Sequence, residues 1–364
     1  MADILSANGV SMWRSLTASL RRLNPDWFVV SLVAVVLTAT ICPCYGAIAT
    51  VFRYLGMLAI SSLFFLQGAR LSRDAVLNGI MHWRLHATIG AITFILYPLI
   101  GVSLSVLFPH LLPASLWLGV IFLCTLPSTV QSSIALTSIA QGNVAGAVCS
   151  ATASNLAGIV LTPLLFSAAA LTHLRGGGIA IGSIGQVLLE LLVPFIIGHL
   201  LRPRLGRWAE RSRRILAITD RGSILLVVYV AFSAAVVNGV WHELPPITMG
   251  TLTCVVGLLL IAGLLITVAG PSIGGCDRSD RIAVLFCGSQ KSLVSGVPIA
   301  NVLFPASVIG PVLIPIMIYY PMQLVVCAWL AKRYAKVAQV GEGLEIEPPA
   351  LVPLIEAVLP KQVR

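Results

Sequence analysis

IAVLFCGSQKSLVSGVPIANVLFP, residues 282–305, decides how the rest of the chain is read. It is an apolar segment long enough to cross a bilayer. Its middle is interrupted by Gly288, Ser289, Gln290, Lys291, Ser292, Ser295, Gly296 and Pro298, where a plain anchor would be aliphatic. Lys291 is the first of four lysines in a chain with nineteen arginines. An ammonium at mid-depth costs about 2.5–3.5 kcal/mol on insertion scales. A lysine kept there marks a functional site unless it snorkels or is paired.

Hydrophobic residues make up 58% of the 364 and charged residues 10%, with a mean hydropathy of +0.97. A soluble domain carries roughly 25% charged residues. The composition excludes a soluble enzyme and predicts an all-α integral membrane protein with the lipid bilayer as partner. The net charge of +10 comes from arginines in short loops, so no nucleic-acid partner is expected. The first apolar run, near Trp27, is long enough to span and does not read as a cleavable leader. Cys42-Pro-Cys44, the one close cysteine pair, lacks metal or redox spacing. No cofactor or firm metal centre is expected.

Apolar runs predict ten transmembrane helices, at about 27–45, 47–68, 85–108, 116–140, 144–171, 183–201, 222–240, 249–270, 282–305 and 308–330. Residues 1–24 read as an amphipathic cytoplasmic stretch, 202–221 as a basic loop and 334–364 as a flexible cytoplasmic tail. With the amino terminus inside, eighteen basic residues flank the inner ends of the spans, and Arg53 and Arg175 the outer ends. The positive-inside rule then places both termini in the cytoplasm.

The chain divides into two five-helix halves of opposite topology, 25–171 and 172–333, each with a broken fourth helix, at 126–133 and 288–298. Matching broken helices in inverted repeats mark a transporter's binding site, because unwound backbone is tolerated only where protein, water or substrate satisfies it. The candidate substrate- and ion-binding residues are therefore Ser128, Thr129, Gln131, Ser132 and Ser133 at the first break. Gly288, Ser289, Gln290, Lys291 and Ser292 line the second, and Ser154 and Asn155 lie on the fifth span. The alternative for the hydroxyls is routine helix–helix hydrogen bonding. Glu190, deep in the sixth span, is a candidate counter-charge for Lys291. Gln67 and Arg70 read as interfacial.

The strings LPSTVQSSIALTSIAQGN (126–143), ASNLAGIVLTPLL (153–165) and FCGSQKSLVSGVPIANVLFP (286–305) resemble the bile acid:sodium symporter family. Within it they are most similar to the bacterial branch related to the seventh vertebrate member. The resemblance covers about 25–333. It implies ten helices, with spans 4 and 9 broken and crossing in a core domain (spans 3–5 and 8–10) that moves against a panel domain (spans 1, 2, 6 and 7). It further implies secondary active transport of a small organic solute, an organic anion, by alternating access in a bacterial inner membrane. Gly288, Gln290 and Ser292 match the span-9 pattern of the bile acid branch. Its sodium-holding glutamate is replaced by Phe286, and its asparagine by Lys291. A sodium site near Ser132, Ser133 and Gln290 would lack its carboxylate. Lys291 is then either a tethered cation in place of the ion or a group that binds and releases a proton, which leaves Na+ and H+ as the candidate coupling ions.

Two other functions fit parts of the sequence. Lys291 activating Ser289 or Ser292 would make an intramembrane enzyme. Adjacent or next-but-one helical residues do not face each other, however, so no enzymatic role is expected. A non-transporting regulatory membrane protein of the same fold, acting in cation homeostasis or envelope assembly, is the other. No stretch specifies an oligomeric state.

Overall fold

The computed structural model describes residues 27–70, 83–173, 188–237, 245–273, 277–305 and 308–341, together with Gly185 and Gly239. The amino-terminal stretch 1–24, part of the 70–84 loop, the glycine-rich 176–178 connection and the tail from 342 onward lie outside the described residues. Among the described residues all regular structure is helical. The helices are α1 (Trp27–Ile41), α2 (Gly46–Arg70), α3 (Trp83–Leu107), α4 (Ala114–Thr125), α5 (Gln131–Ile139), α6 (Val144–His173) and α7 (residues 188–200). They continue as α8 (Arg202–Arg211), α9 (Arg213–Val237), α10 (Pro246–Ile273), α11 (Arg278–Ser289), α12 (Leu293–Leu303) and α13 (Ile309–Gly341).

Among the described residues, seven apolar helical segments are long enough to cross a membrane, counting α11 and α12 together as one interrupted segment. The apolar helices α1, α4 and α7 are shorter. This is an all-α integral membrane protein. Val33, Leu37, Ile48, Val51 and Leu58 stand exposed on α1 and α2, as lipid-facing residues do. By contrast, every residue from Ile282 to Leu293 is buried, so the interrupted segment lies at the centre of the molecule.

The helices pack in two sets. In one, α2 packs on α7, α8 and α9, and α9 packs on α1. The backbones of α2 and α7 meet closely: a Cβ on Gly68 would strike the Phe195 carbonyl oxygen, and one on Gly198 the Phe65 carbonyl oxygen. Small residues allow this approach where no hydrophobic driving force acts between helices. In the other set, α3, α4, α5, α6, α10, α11, α12 and α13 pack on one another. The two sets touch where α9 meets α12 and α13, and where α6 meets the start of α7.

Three boundaries differ from those read in the sequence. The basic stretch 202–221 is not a loop. It forms α8 and the first two turns of α9, because its arginines alternate with Leu205, Trp208, Ala209, Ile215, Leu216 and Ile218 at helical spacing. α13 runs past 333 to Gly341. The breaks are also narrower than expected. Only 126–130 and 290–292 leave the helix, while Gly288 and Ser289 close α11, and Ser295, Gly296 and Pro298 lie inside α12.

Candidate functional site

Four helix ends meet at the two breaks: the carboxyl ends of α4 and α11 and the amino ends of α5 and α12. Helix ends leave backbone groups unpaired, and inside a membrane something other than water must satisfy them. The two breaks bond directly, Ser292 N–H donating to the Pro127 carbonyl at 2.9 Å. Ser128 Oγ donates to the Cys287 carbonyl at 2.5 Å, and Thr162 Oγ1 to the Thr125 carbonyl at 2.9 Å. The hydroxyls of Tyr97 and Tyr319 both donate to the Ser289 carbonyl, at 3.1 and 2.7 Å. Ser292 caps α12, its Oγ accepting from Ser295 N–H at 3.2 Å.

Lys291 is fully buried. Its backbone is held at both groups by Gln323: Lys291 N–H donates to Gln323 Oε1 at 2.8 Å, and Gln323 Nε2 donates to the Lys291 carbonyl at 3.0 Å. Its Nζ donates to the carbonyl oxygens of Thr93, Cys124 and Leu126 at 3.0, 3.0 and 2.9 Å, and lies 4.2 Å from the Tyr97 ring centroid. All three N–H bonds of an ammonium are thus used on carbonyls. Glu190 is not the counter-charge these bonds reach. It sits half-buried on the π-helical turn Leu188–Leu192 of α7. Nor is either neighbouring serine paired with the amine, since Ser289 Oγ donates to the Leu285 carbonyl at 2.6 Å and Ser292 Oγ bonds Ser295.

A second cluster surrounds Gln290. Its Oε1 accepts from Thr129 Oγ1 at 2.5 Å, Ser132 Oγ at 2.7 Å and Ser133 Oγ at 3.0 Å, and Ser133 Oγ also reaches the Phe286 carbonyl at 3.1 Å. The donor set for a cation here is neutral, comprising an amide oxygen, three hydroxyls and a carbonyl. The Phe286 side chain packs instead with Leu136, Ile282, Leu285, Cys327 and Ala331. Among the described residues, no three His, Cys, Asp or Glu side chains are grouped to hold a metal ion.

A cavity of about 410 Å³ opens beside this crossing, between the two helix sets. One wall carries Thr129, Gln131 and Ser132 of the first break, Asn155 of α6, and Ser292 and Ser295 of the second. The opposite wall carries Gln67 and Arg70 of α2 and Asp220 and Arg221 of α9. Arg70 pairs with Asp220 through two bonds, at 2.6 and 3.3 Å, and the Arg221 guanidinium lies 5.7 Å from the Phe28 ring centroid. Ser295 Oγ bonds Asn155 Oδ1, and Ser128 N–H donates to Ser154 Oγ at 3.1 Å. α5 starts at this wall with no side-chain cap on its first turn.

The sequence-derived residues thus fall in three places. Thr129, Gln131, Ser132, Asn155 and Ser292 line the cavity. Ser128, Ser133, Ser154, Gly288, Ser289 and Gln290 lie buried behind it, and all of them but Gly288 take part in the hydrogen bonds between segments given above. Lys291 occupies its own carbonyl cage and does not line the cavity. The sequence reading missed Gln67, Arg70, Asp220 and Arg221. Arg70 ends a span and looked interfacial, and Asp220 and Arg221 looked like loop. The signal that would have found Asp220 and Arg221 is the helical periodicity of 213–221.

Residues 26–336 match the model of the SBF-like CPA transporter family. An uncharacterised protein of Pseudomonas aeruginosa is 48% identical over 86% of this chain and 94% of its own length. YfeH of Escherichia coli, named as a candidate symporter, is 45% identical over 85% of this chain and 93% of its own. Sodium/bile acid cotransporter 7-B of Xenopus laevis is 28% identical over 84% of this chain and 90% of its own.

Proposed function

This chain belongs to the SBF-like CPA transporter family, and from that premise we propose that it moves a small organic anion across the bacterial inner membrane by alternating access. The observation that carries this reading is the cavity of about 410 Å³ between the two helix sets, lined by two guanidiniums, Arg70 and Arg221, against one carboxylate, Asp220. The uncapped amino end of α5 adds partial positive charge on the opposite wall. A substrate held there touches both sets at once, so sliding of one set against the other exposes it to either side. In this reading α1, α2, α7 and α9 are the panel, the remaining spans are the core, and the ten spans form two inverted repeats with cytoplasmic termini.

Positive charge for the substrate comes from the arginines and not from Lys291, which the sequence had suggested. The reading includes no fixed sodium ion, because the hydroxyls of Thr129, Ser132 and Ser133 are hydrogen-bonded to Gln290 Oε1 and to one another. The proton is then the coupling ion to test. Purified protein in liposomes, offered labelled taurocholate, a sulfated steroid or a dicarboxylate, is expected to show saturable uptake of at least one. That uptake is expected to be unchanged when sodium is replaced by potassium and to respond to an imposed pH gradient. Uptake at the level of empty liposomes for all three refutes the transport reading. Strict dependence on sodium refutes its coupling.

A further inference from the structure

The three carbonyls around the Lys291 ammonium are each without a helical partner, for separate reasons. At the π-helical turn Ile92–Leu96 of α3, the Tyr97 N–H bonds the Ile92 carbonyl. The next residue, Pro98, has no N–H, so the Thr93 carbonyl has neither an α- nor a π-type donor. At the end of α4, the N–H that would continue the helix onto Cys124 is that of Ser128, which donates to Ser154 instead, at 3.1 Å. Leu126 has left the helix altogether. These oxygens lie within 3.0 Å of one point, over the face of the Tyr97 ring and at the negative end of α4. Three carbonyl dipoles and an aromatic face at this distance suit a dehydrated monovalent cation of ammonium or potassium size, larger than sodium.

We propose that this cage is a monovalent-cation site built into the crossing, which Lys291 fills with its own ammonium. A cation that cannot leave holds α3, α4 and the second break together throughout the cycle, where a free ion would bind and dissociate. All the groups involved belong to one helix set, so the lock stiffens that set and leaves its contact with the other unaffected. The inference rests on the cage and its three orphan carbonyls and does not depend on what is transported.

The test is thermal unfolding of detergent-purified Lys291→Ala, wild type and Lys291→Met in ammonium, potassium, sodium and choline chlorides at constant ionic strength and pH. Truncation to alanine opens the cage to a free cation, whereas methionine fills it without charge. Lys291→Ala is expected to gain about 4 °C in ammonium or potassium at a hundredfold excess over Kd, less in sodium and nothing in choline. Wild type and Lys291→Met are expected to show no cation-specific change, with Lys291→Met the less stable of the two. If Lys291→Ala survives purification only in potassium or ammonium, that selectivity supports the site equally. One Tm in all four salts, failure to fold in every salt, the same selectivity in the wild type, or a Lys291→Met protein as stable as wild type overturns it.

Discussion

The Ser292 amide donates to the Pro127 carbonyl over 2.9 Å, so the two interrupted helices are joined backbone to backbone at their breaks. Shifting one break without the other would break this bond. Cavity residues such as Thr129 and Ser292 therefore move as one wall, and the substitutions that matter either loosen this junction or alter the wall opposite.

Gln290 gathers three hydroxyls from α5 and the residues before it onto one oxygen. Gln290→Leu removes the acceptor that Thr129, Ser132 and Ser133 share, at a cost on the order of 1–3 kcal/mol. Its Tm in detergent is expected to fall clearly below wild type, and that of Ser132→Ala by less. Equal melting of Gln290→Leu and wild type would mean the cluster does not hold the crossing.

The resemblance to the bile acid branch puts Phe286 in the place of a glutamate, and its ring sits among Leu136, Ile282, Leu285, Cys327 and Ala331. Phe286→Glu puts a carboxylate into that apolar cluster, with a penalty of several kcal/mol. It is expected to lose folded yield far more than Phe286→Leu and to gain no sodium-dependent rise in Tm. A sodium-specific stabilisation of Phe286→Glu would show that one carboxylate is enough to rebuild the ion site.

Gly198 faces the Phe65 carbonyl oxygen across the α2–α7 contact, whereas Gly56 has open space around its Cβ position. Gly198→Ala must push two backbones apart and is expected to lower Tm by several degrees. Gly56→Ala is expected to leave it unchanged or slightly higher, since alanine favours helix by about 1 kcal/mol. Thermal unfolding of the two variants side by side reads the difference directly.

Arg70 is neutralised by Asp220, while Arg221 stacks near Phe28 with its charge free for a ligand. Arg221→Gln is expected to raise KM for a transported anion about tenfold, which corresponds to about 1.4 kcal/mol. Asp220→Asn releases Arg70 and is expected to lower KM severalfold. Initial uptake rates over a range of anion concentrations check both. Opposite signs for the two variants are the signature of an anion in this cavity, and a shared sign contradicts it.

The hydropathy pattern was enough to place most of the helices to within a few residues, because a lipid-facing helix must be apolar along its whole length. Both breaks were legible for the opposite reason, since Ser128 to Ser133 and Gly288 to Ser292 are too polar for lipid. What could not be read was the direction in which side chains leave the breaks. Lys291 and Gln290 are neighbours, yet one turns into the carbonyl cage and the other onto the hydroxyls of Thr129, Ser132 and Ser133. That choice depends on the π turn in α3 and on Pro98, nearly two hundred residues away. The cavity's far wall was hidden because charged residues near a span end, such as Arg70 and Asp220, look interfacial until their pairing is seen.

Leu156 lines the cavity on the face of α6 that carries Asn155. The most direct test of the account is uptake of a labelled organic anion into liposomes by wild type and by Leu156→Trp, which plugs the cavity from one wall. Wild type is expected to show saturable uptake, and Leu156→Trp none above empty liposomes, at a Tm close to wild type. Uptake by the plugged protein at the wild-type rate would place the transport path elsewhere and contradict binding of the anion in this cavity.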